Sequence, residues 1–422
     1  MRNSKYFIAL LVTAVMAVPA AADIAVDGFL QGLWGGRLDK ANPTATEMTA
    51  SETRMQLRAE HFGDNGEFFG RLDFVYDGAD SVKYDWELRE GYFKFRVGDN
   101  LDFKIGRQIL TWGTGDLVFI NDVFAKDYRS FFVGRDDQYL KAPQNALRME
   151  YYNPIGALSL VYTPRFEANR LPTGRKLSYF NPTANGGLGG IVGEDNFFDP
   201  TLPEAKFKNG ELAARLNRYV AGFNTALYFY HGFYKNPQGA VMVAGMPMPV
   251  YPRLNVYGAS MRGSLAGGIL WLEGGYFDSR DDRDGDDPMM PNSSVSGLLG
   301  FERQVATNLT ANIQWKADYM LDHDIYQMQQ QAMGAYVRDE MRHLLTSRIT
   351  KLLNSELLTL SGFVFYSPSD EDLYARLSAS YKYTDEVTLT LGGNIFDGNN
   401  ESTDFGQFQL NDNIYAKMTY GF

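Results

Sequence analysis

The most unusual piece of the chain, in which charged and aromatic side chains are mixed, lies between residues 105 and 145. Ile105-Gly106-Arg107-Gln108-Ile109-Leu110-Thr111-Trp112-Gly113 leads through Asp116, Asn121 and Asp122 to Gly134-Arg135-Asp136-Asp137-Gln138-Tyr139. Arginines and aspartates mixed in this way supply fixed charges that sort ions, without a nucleophile beside a base. Phe119, Phe124, Phe131 and Phe132 make the same stretch too apolar for a loop lying wholly in water. The expectation is a segment over about 114–145 that folds back into an interior and narrows it. Arg107, Arg129 and Arg135 would there face Asp116, Asp122, Asp136 and Asp137. Arg107 interrupts the local alternation, which predicts a bulge or inward turn at Gly106. The plainer alternative is an external cluster of salt bridges that covers a mouth.

Other candidates for chemistry are sparse. The four histidines are His61, His231, His323 and His343. His231 follows Tyr228-Phe229-Tyr230 with no serine at hairpin distance in its own strand, and the spacing from His343 to Thr346 and Ser347 has no catalytic meaning. A triad is assembled in space, so a hydrolase with a Ser–His pair on the outer face is the competing class, but no pattern here calls for an enzyme. The histidines form no metal-ligand cluster. The run Asp281-Asp282-Arg283-Asp284-Gly285-Asp286-Asp287 offers oxygen ligands of the calcium type but lacks a closing carboxylate, so it reads as a solvated loop tip. Cysteine is absent, which excludes thiolate metal sites, haem attachment through CxxCH and a lipoprotein anchor. No metal and no cofactor are expected.

The elements that must position these residues alternate with period 2 almost throughout, and no stretch carries a sustained helical stripe. Leu309, Ala311, Ile313, Trp315, Ala317, Tyr319 and Leu321 share one face, opposite Thr310, Asn312, Gln314, Lys316, Asp318 and Met320. Leu373 to Tyr383 and Val387 to Ile395 repeat the pattern. The strands run about 10 to 13 residues, the length a tilted strand needs to cross a bilayer. Tyrosine and tryptophan gather toward their ends. Hairpin turns at 63–66, 98–100, 153–156, 266–268, 306–308 and 384–386 alternate with long connections near 40–50, 114–145, 169–210, 235–250, 282–293, 323–340 and 397–409. Register is ambiguous near 221–234 and 253–264. The count is about 18, and bacterial barrels need an even number.

The termini fit the same class. Arg2 and Lys5 precede an apolar core over Tyr6–Val18 and a small-residue site at Ala20-Ala21-Ala22, the layout of a cleaved secretory signal. The domains expected are therefore a signal peptide over 1–22 and a barrel over 23–422. At the other end Ile414, Ala416, Met418, Tyr420 and Phe422 alternate with polar residues. Tyr420 and Phe422 look like the signal read by the outer-membrane barrel-assembly machinery. The fold class is all-β, a transmembrane antiparallel up-and-down β-barrel in the outer membrane, with lipid and lipopolysaccharide around it.

With apolar faces turned to lipid, Arg54, Arg58, Arg71, Lys94, Arg96, Arg215, Lys316, Arg348, Arg376, Lys382 and Lys417 line the lumen. Glu60, Asp73, Asp77, Glu90, Glu273 and Asp318 join them. That wall is mixed with a basic excess, which favours anions unless the charges merely pair across strands. The whole chain is acidic. Its formal net charge of −11 becomes −13 once Arg2 and Lys5 are lost, which argues against nucleic acid as a partner.

The Gly106-Arg107-Gln108…Trp112-Gly113 run, entering a long loop of aspartate and phenylalanine, resembles uncharacterised large outer-membrane barrels of proteobacteria. Some of those are encoded beside transporters of the resistance–nodulation–division type. The strand count is similar to that of the alginate-export barrel, although no alginate-specific motif is evident. The resemblance implies a channel and does not identify the cargo; with the basic wall, the expectation is a porin-like channel for solutes, with anions preferred. Two alternatives remain open. One is the outer-membrane component of an export or lipid-transfer route with periplasmic partners, which inward-facing Phe363 and Phe365 would favour. The other is an electron conduit sheathing a cytochrome.

Overall fold

The computed structural model describes residues 24–182, 184–187, 189–194 and 199–422. The expected signal peptide over 1–22 lies outside the described residues. Eighteen long strands form one sheet. The first six are β1 (Ile24–Arg37), β2 (Met48–Gly63), β3 (Gly66–Asp77), β4 (Tyr84–Val97), β5 (Leu101–Ile109) and β6 (Pro143–Asn153). There follow β7 (Gly156–Thr163), β8 (Glu211–Val220), β9 (Phe223–Phe233), β10 (Arg253–Leu265), β11 (Gly268–Ser279) and β12 (Ser294–Ala306). The last are β13 (Leu309–Met320), β14 (Met341–Leu353), β15 (Leu358–Ser367), β16 (Asp372–Lys382), β17 (Val387–Gly398) and β18 (Asn413–Gly421). Each pairs antiparallel with its neighbour in sequence, and β18 closes on β1 from Gly421↔Phe29 to Asn413↔Arg37. Closure leaves no backbone edge to be satisfied in lipid.

The alternation decides which side chains face out. Leu391 is 66% exposed, Leu227 60% and Ile313 59%, as water-facing residues of this size rarely are. Above this belt sit Trp34, Tyr76, Tyr84, Tyr257, Tyr276 and Tyr319. Phe93, Phe95, Phe103, Tyr381, Tyr420 and Phe422 flank it at the other end. Two aromatic girdles around an apolar band are the exterior of a membrane-spanning barrel.

All long connections lie at one end, and every connection at the other is a short turn. Two tight turns escaped the alternation pattern. Ala221-Gly222, with φ of 49° and 87°, makes the two-residue turn between β8 and β9, and Asn354-Ser355-Glu356 turns β14 into β15. Positive φ at both central residues is what a tight hairpin of the favoured hand requires. The ambiguous register near 221–234 and 253–264 resolves as Phe223↔Gly263 through Phe233↔Arg253. Two connections at the long-loop end, 78–83 and 368–371, are short.

Candidate functional site: a loop across the lumen

The inner face carries the residues the alternation assigned to it. Asp27↔Arg58↔Arg71, Asp73↔Gln56 and Lys94↔Glu67 place Arg58, Arg71, Asp73 and Lys94 inward. Arg96↔Asp102 and Arg376↔Phe363 do the same for those strands. Arg54, Lys316, Lys382 and Lys417 share this face. Most of these charges are paired on the wall. Arg54 is bound by Glu52 at 2.7 Å and by Asp73, Arg96 by Asp102 at 2.6 Å, and Lys316 by Asp318 at 2.8 Å.

The connection from β5 to β6, residues 110–142, turns into the barrel and crosses it. Its start is set at Gly106, whose φ is 130° and where a Cβ would lie 2.3 Å from the Gly91 carbonyl oxygen. The bulge expected there is instead on the facing strand. Arg71 pairs with Glu90 and Leu72 with Leu88, so Arg89 of β4 is the extra residue and also points inward. Arg107 fills the gap that results. Its Nε donates to the Leu88 carbonyl at 2.7 Å, and its guanidinium lies 3.6 Å from Glu167 and 4.0 Å from Glu87.

The first limb of the loop is pegged by one carboxylate. Glu273 of β11, 5% exposed, accepts from Thr114 N at 2.6 Å, Thr114 Oγ1 at 2.9 Å and Gly115 N at 3.3 Å through Oε2. Its Oε1 accepts from Asn121 N at 2.7 Å and Asn121 Nδ2 at 3.1 Å. The middle of the loop is a short helix, α1 (Tyr128–Phe132), capped by Asp127, which accepts from Ser130 N at 2.9 Å. Burial alone would raise the Asp127 carboxyl. Arg170, Arg129 and Arg135 outweigh it and hold the group below its ordinary value. The return limb is held by Tyr139, whose ring lies between the guanidinium groups of Arg54 and Arg89 at 4.4 and 4.7 Å. The Tyr139 hydroxyl donates to Asp73 at 3.0 Å.

Asp116, Arg135, Asp136 and Asp137 of the loop pair with the wall, and none of Asp116, Asp122, Asp136 and Asp137 pairs with Arg107, Arg129 or Arg135 among the described residues, contrary to the expectation from sequence. Asp116 meets Arg348 at 2.9 Å, Asp136 meets Lys417, and Asp137 meets Arg376 and Arg348. Arg135 donates through Nε to Glu52 at 2.8 Å. Asp122 pairs within the loop, with Lys126 at 3.0 Å. Arg129 is exposed, with no ion pair among the described residues. The physical reason is desolvation: a loop entering a charged lumen must match the charges it covers.

Apolar surface completes the docking. Phe131 and Phe132 pack edge-on against Tyr374 at 5.5 and 5.3 Å, and Phe132 against Phe396 at 5.4 Å. Phe363 and Phe365, read from sequence as an apolar lining, are buried beneath this cluster at 2% and 5% exposure. Trp112 and Phe124 form a second cluster with Val161, Ala213 and Tyr230. Hydrogen bonds, ion pairs and ring contacts thus tie the loop to β1–β4, β6, β9–β11 and β13–β18. Shared apolar clusters join it to β7, β8 and β12. The loop is a partition across the lumen.

Beside the partition, toward β2–β4, lies a cavity of about 380 Å³. Its lining includes Arg54, Arg89, Arg129 and Arg135, and among its described residues eight cations stand against six carboxylates, with Glu52 and Asp73 behind the lining pairing Arg54 and Arg135. Arg89, Glu273 and Tyr139 are the residues that sequence reasoning did not assign to these roles. Arg89 is hidden by the bulge, and Glu273 and Tyr139 act through contacts remote in sequence.

The histidines are engaged elsewhere. His231 shares a hydrogen bond with Asn255 at 2.8 Å, His323 meets the Arg338 carbonyl at 2.8 Å, and His343 lies against Trp315 on the outer face. In the acidic run, Asp282 accepts from the backbone N–H groups of Asp286 and Asp287 and Arg283 pairs with Asp278. Among the described residues no group of three or more His, Cys, Asp or Glu is arranged to hold a metal ion. Phe422 sits at the short-turn end, exchanging backbone hydrogen bonds with Gly28 at 2.9 and 3.0 Å.

A closed eighteen-strand sheet with an apolar belt, a charged interior and one inward loop defines a transmembrane β-barrel of the outer-membrane type. No family model and no curated protein matches the chain. Among solved structures it is similar to a loop-deletion mutant of OmpT, an outer membrane protein of Vibrio cholerae. That likeness is 11% identical, covers 95% of this chain and 100% of the other, and has a TM-score of 0.42. A triple mutant of the porin of Rhodopseudomonas blastica is 10% identical over the same shares, with a TM-score of 0.43. At that distance neither speaks to what this barrel carries.

Proposed function

We propose that the chain is a channel of the Gram-negative outer membrane that passes solutes, anions before cations, and that loop 110–142 sets what gets through. The observation that carries this reading is the arginine-lined cavity beside the partition, in which Arg129 is exposed and has no ion pair among the described residues. Cations lining a water-filled constriction lower the barrier for anions and raise it for cations. Many wall charges are paired, Arg54 with Glu52 and Asp73 and Lys316 with Asp318 among them, so a cation such as Arg129 that the loop leaves without an ion pair among the described residues weighs on selectivity.

The alternatives fit less well. A lipid-transfer route needs an apolar path along the lumen, and the loop interrupts it with charged contacts to Arg348, Arg376 and Lys417. A cytochrome sheath needs an empty lumen, which the loop occupies. Catalysis would need a nucleophile beside a base, and the contacts of His231, His323 and His343 are with Asn255, a backbone carbonyl and Trp315. Tyr420 and Phe422, at the end of the closing strand, are the residues we assign to recognition by the assembly machinery.

The test is conductance and reversal potential of the purified protein in a planar bilayer under a potassium chloride gradient. A steady conductance reversing toward the chloride potential is expected. A folded barrel that stays closed, or one that prefers potassium, overturns the reading.

A further inference from the structure

On the long-loop side of the partition lies an open chamber of about 1630 Å³. Its floor is the back of the inward loop, with Leu117 and Phe119, and its walls include Met248 and Phe405 from other connections. Water gains little from contact with such a surface, so the chamber favours a solute with an apolar body that can replace it. Its charges are not symmetric. Among the described lining residues five are cationic, against the carboxylates of Glu167, Asp199 and Asp404. Lys316, Arg342 and Arg170 are committed to Asp318, Asp370 and Glu87. Arg129 and Arg165 are exposed, and neither has a carboxylate within ion-pair distance among the described residues. Arg129 also lines the arginine-rich cavity beside the partition, so it stands where the apolar chamber meets the charged one.

We propose that this chamber binds amphipathic organic anions from the surrounding medium, an aromatic or alicyclic body resting against Phe119 and Phe405 and a carboxylate held by Arg129. The planar guanidinium can take a carboxylate through two parallel hydrogen bonds, and with no ion pair among the described residues it breaks none of these in doing so. The inference rests on the channel reading and deepens it by naming a solute class.

The experiment measures equilibrium binding to the full chain in lipid nanodiscs. The probes are naphthalene-2-carboxylate, the neutral naphthalene-2-methanol, and acetate as a headgroup without a body. Saturable binding of the carboxylate, about tenfold or more tighter than either comparison, is expected. Arg129→Gln should weaken the carboxylate by about tenfold and leave the alcohol unchanged. Met248→Asp, on a connection away from the partition, should weaken the carboxylate by repulsion. Equal binding of carboxylate and alcohol, equal weakening of both by Arg129→Gln, or no effect of Met248→Asp overturns the proposal. Conductance measured on the same preparation separates the two readings. A conducting barrel that does not bind the carboxylate overturns the chamber site alone, and a closed barrel that binds it overturns the channel.

Discussion

Glu273→Gln exchanges one carboxylate oxygen for an NH2 group at nearly constant volume, at the point where the inward loop is pegged to the wall. Five loop donors converge on the two oxygens, three on Oε2 and two on Oε1. The amide can accept at one position only. With its oxygen at the better-occupied site, Asn121 N and Nδ2 lose their acceptor and face another donor. A hydrogen bond to a charged acceptor contributes about 1.5–3 kcal/mol, so the loss of two weakens docking by about 3–6 kcal/mol. Barrel pairing is untouched, and the rest of the loop keeps its anchors at Arg135, Asp137 and Tyr139. The expected consequence is local opening of residues 113–121, its population raised about 100-fold or more. Amide hydrogen exchange at Thr114, Gly115 and Asn121 should accelerate accordingly. Single-channel records should show larger or flickering currents. Exchange within about threefold of the parent, a change of under about 1 kcal/mol, together with unaltered currents, would refute the assignment of Glu273 as the peg.

Three further outcomes follow from the same contacts. Asp137→Asn uncovers the guanidinium groups of Arg348 and Arg376, so the reversal potential should move further toward the anion side; an unchanged value would show that these charges do not face the ion path. Asp127 is held below its ordinary value, so its contribution to loop docking is full above about pH 4 and is lost as pH falls through the lower folded-state value. Current noise should therefore rise on acidification below about pH 4, and the step should vanish in Asp127→Asn. Gly106→Ala forces a Cβ against the Gly91 carbonyl in a backbone conformation that alanine resists, at about 1–3 kcal/mol for the conformation alone. It should lower the folded fraction, read from the shift in electrophoretic mobility on heating, and a normal folded fraction would count against the strain.

The barrel was legible in the sequence because its rule is local. Successive side chains on a strand point to opposite faces, so the alternation of Leu309 to Met320, or of Leu373 to Tyr383, assigns lipid and lumen without knowledge of the partner strand. Turn residues such as Gly63-Asp64-Asn65-Gly66 mark where strands reverse. Where the local signal weakens, reading fails in a limited way. Ala221-Gly222 lacks the usual turn chemistry, and its turn became visible only through the register of β8 and β9. Arg89 has the parity of an outward residue, and only the bulge against β3 turns it in.

The aromatic and aspartate content of residues 114–145 pointed to a segment that enters the barrel, since its apolar side chains need cover that water cannot provide, with an external cover of the mouth as the alternative. Which wall residues meet it was decided by the tertiary structure alone. Glu273 and Asn121 are 152 positions apart, and Asp136 and Lys417 are 281 apart. Loop contacts obey no period, and each pairing depends on the height and angle at which a closed eighteen-strand cylinder presents its inner face. The sequence by itself determined a cylinder with a charged inside and left open whether its apolar loop enters that cylinder or covers its mouth. The closure of the cylinder decided how the loop's charges and the wall's cancel, and where Arg129 is left over.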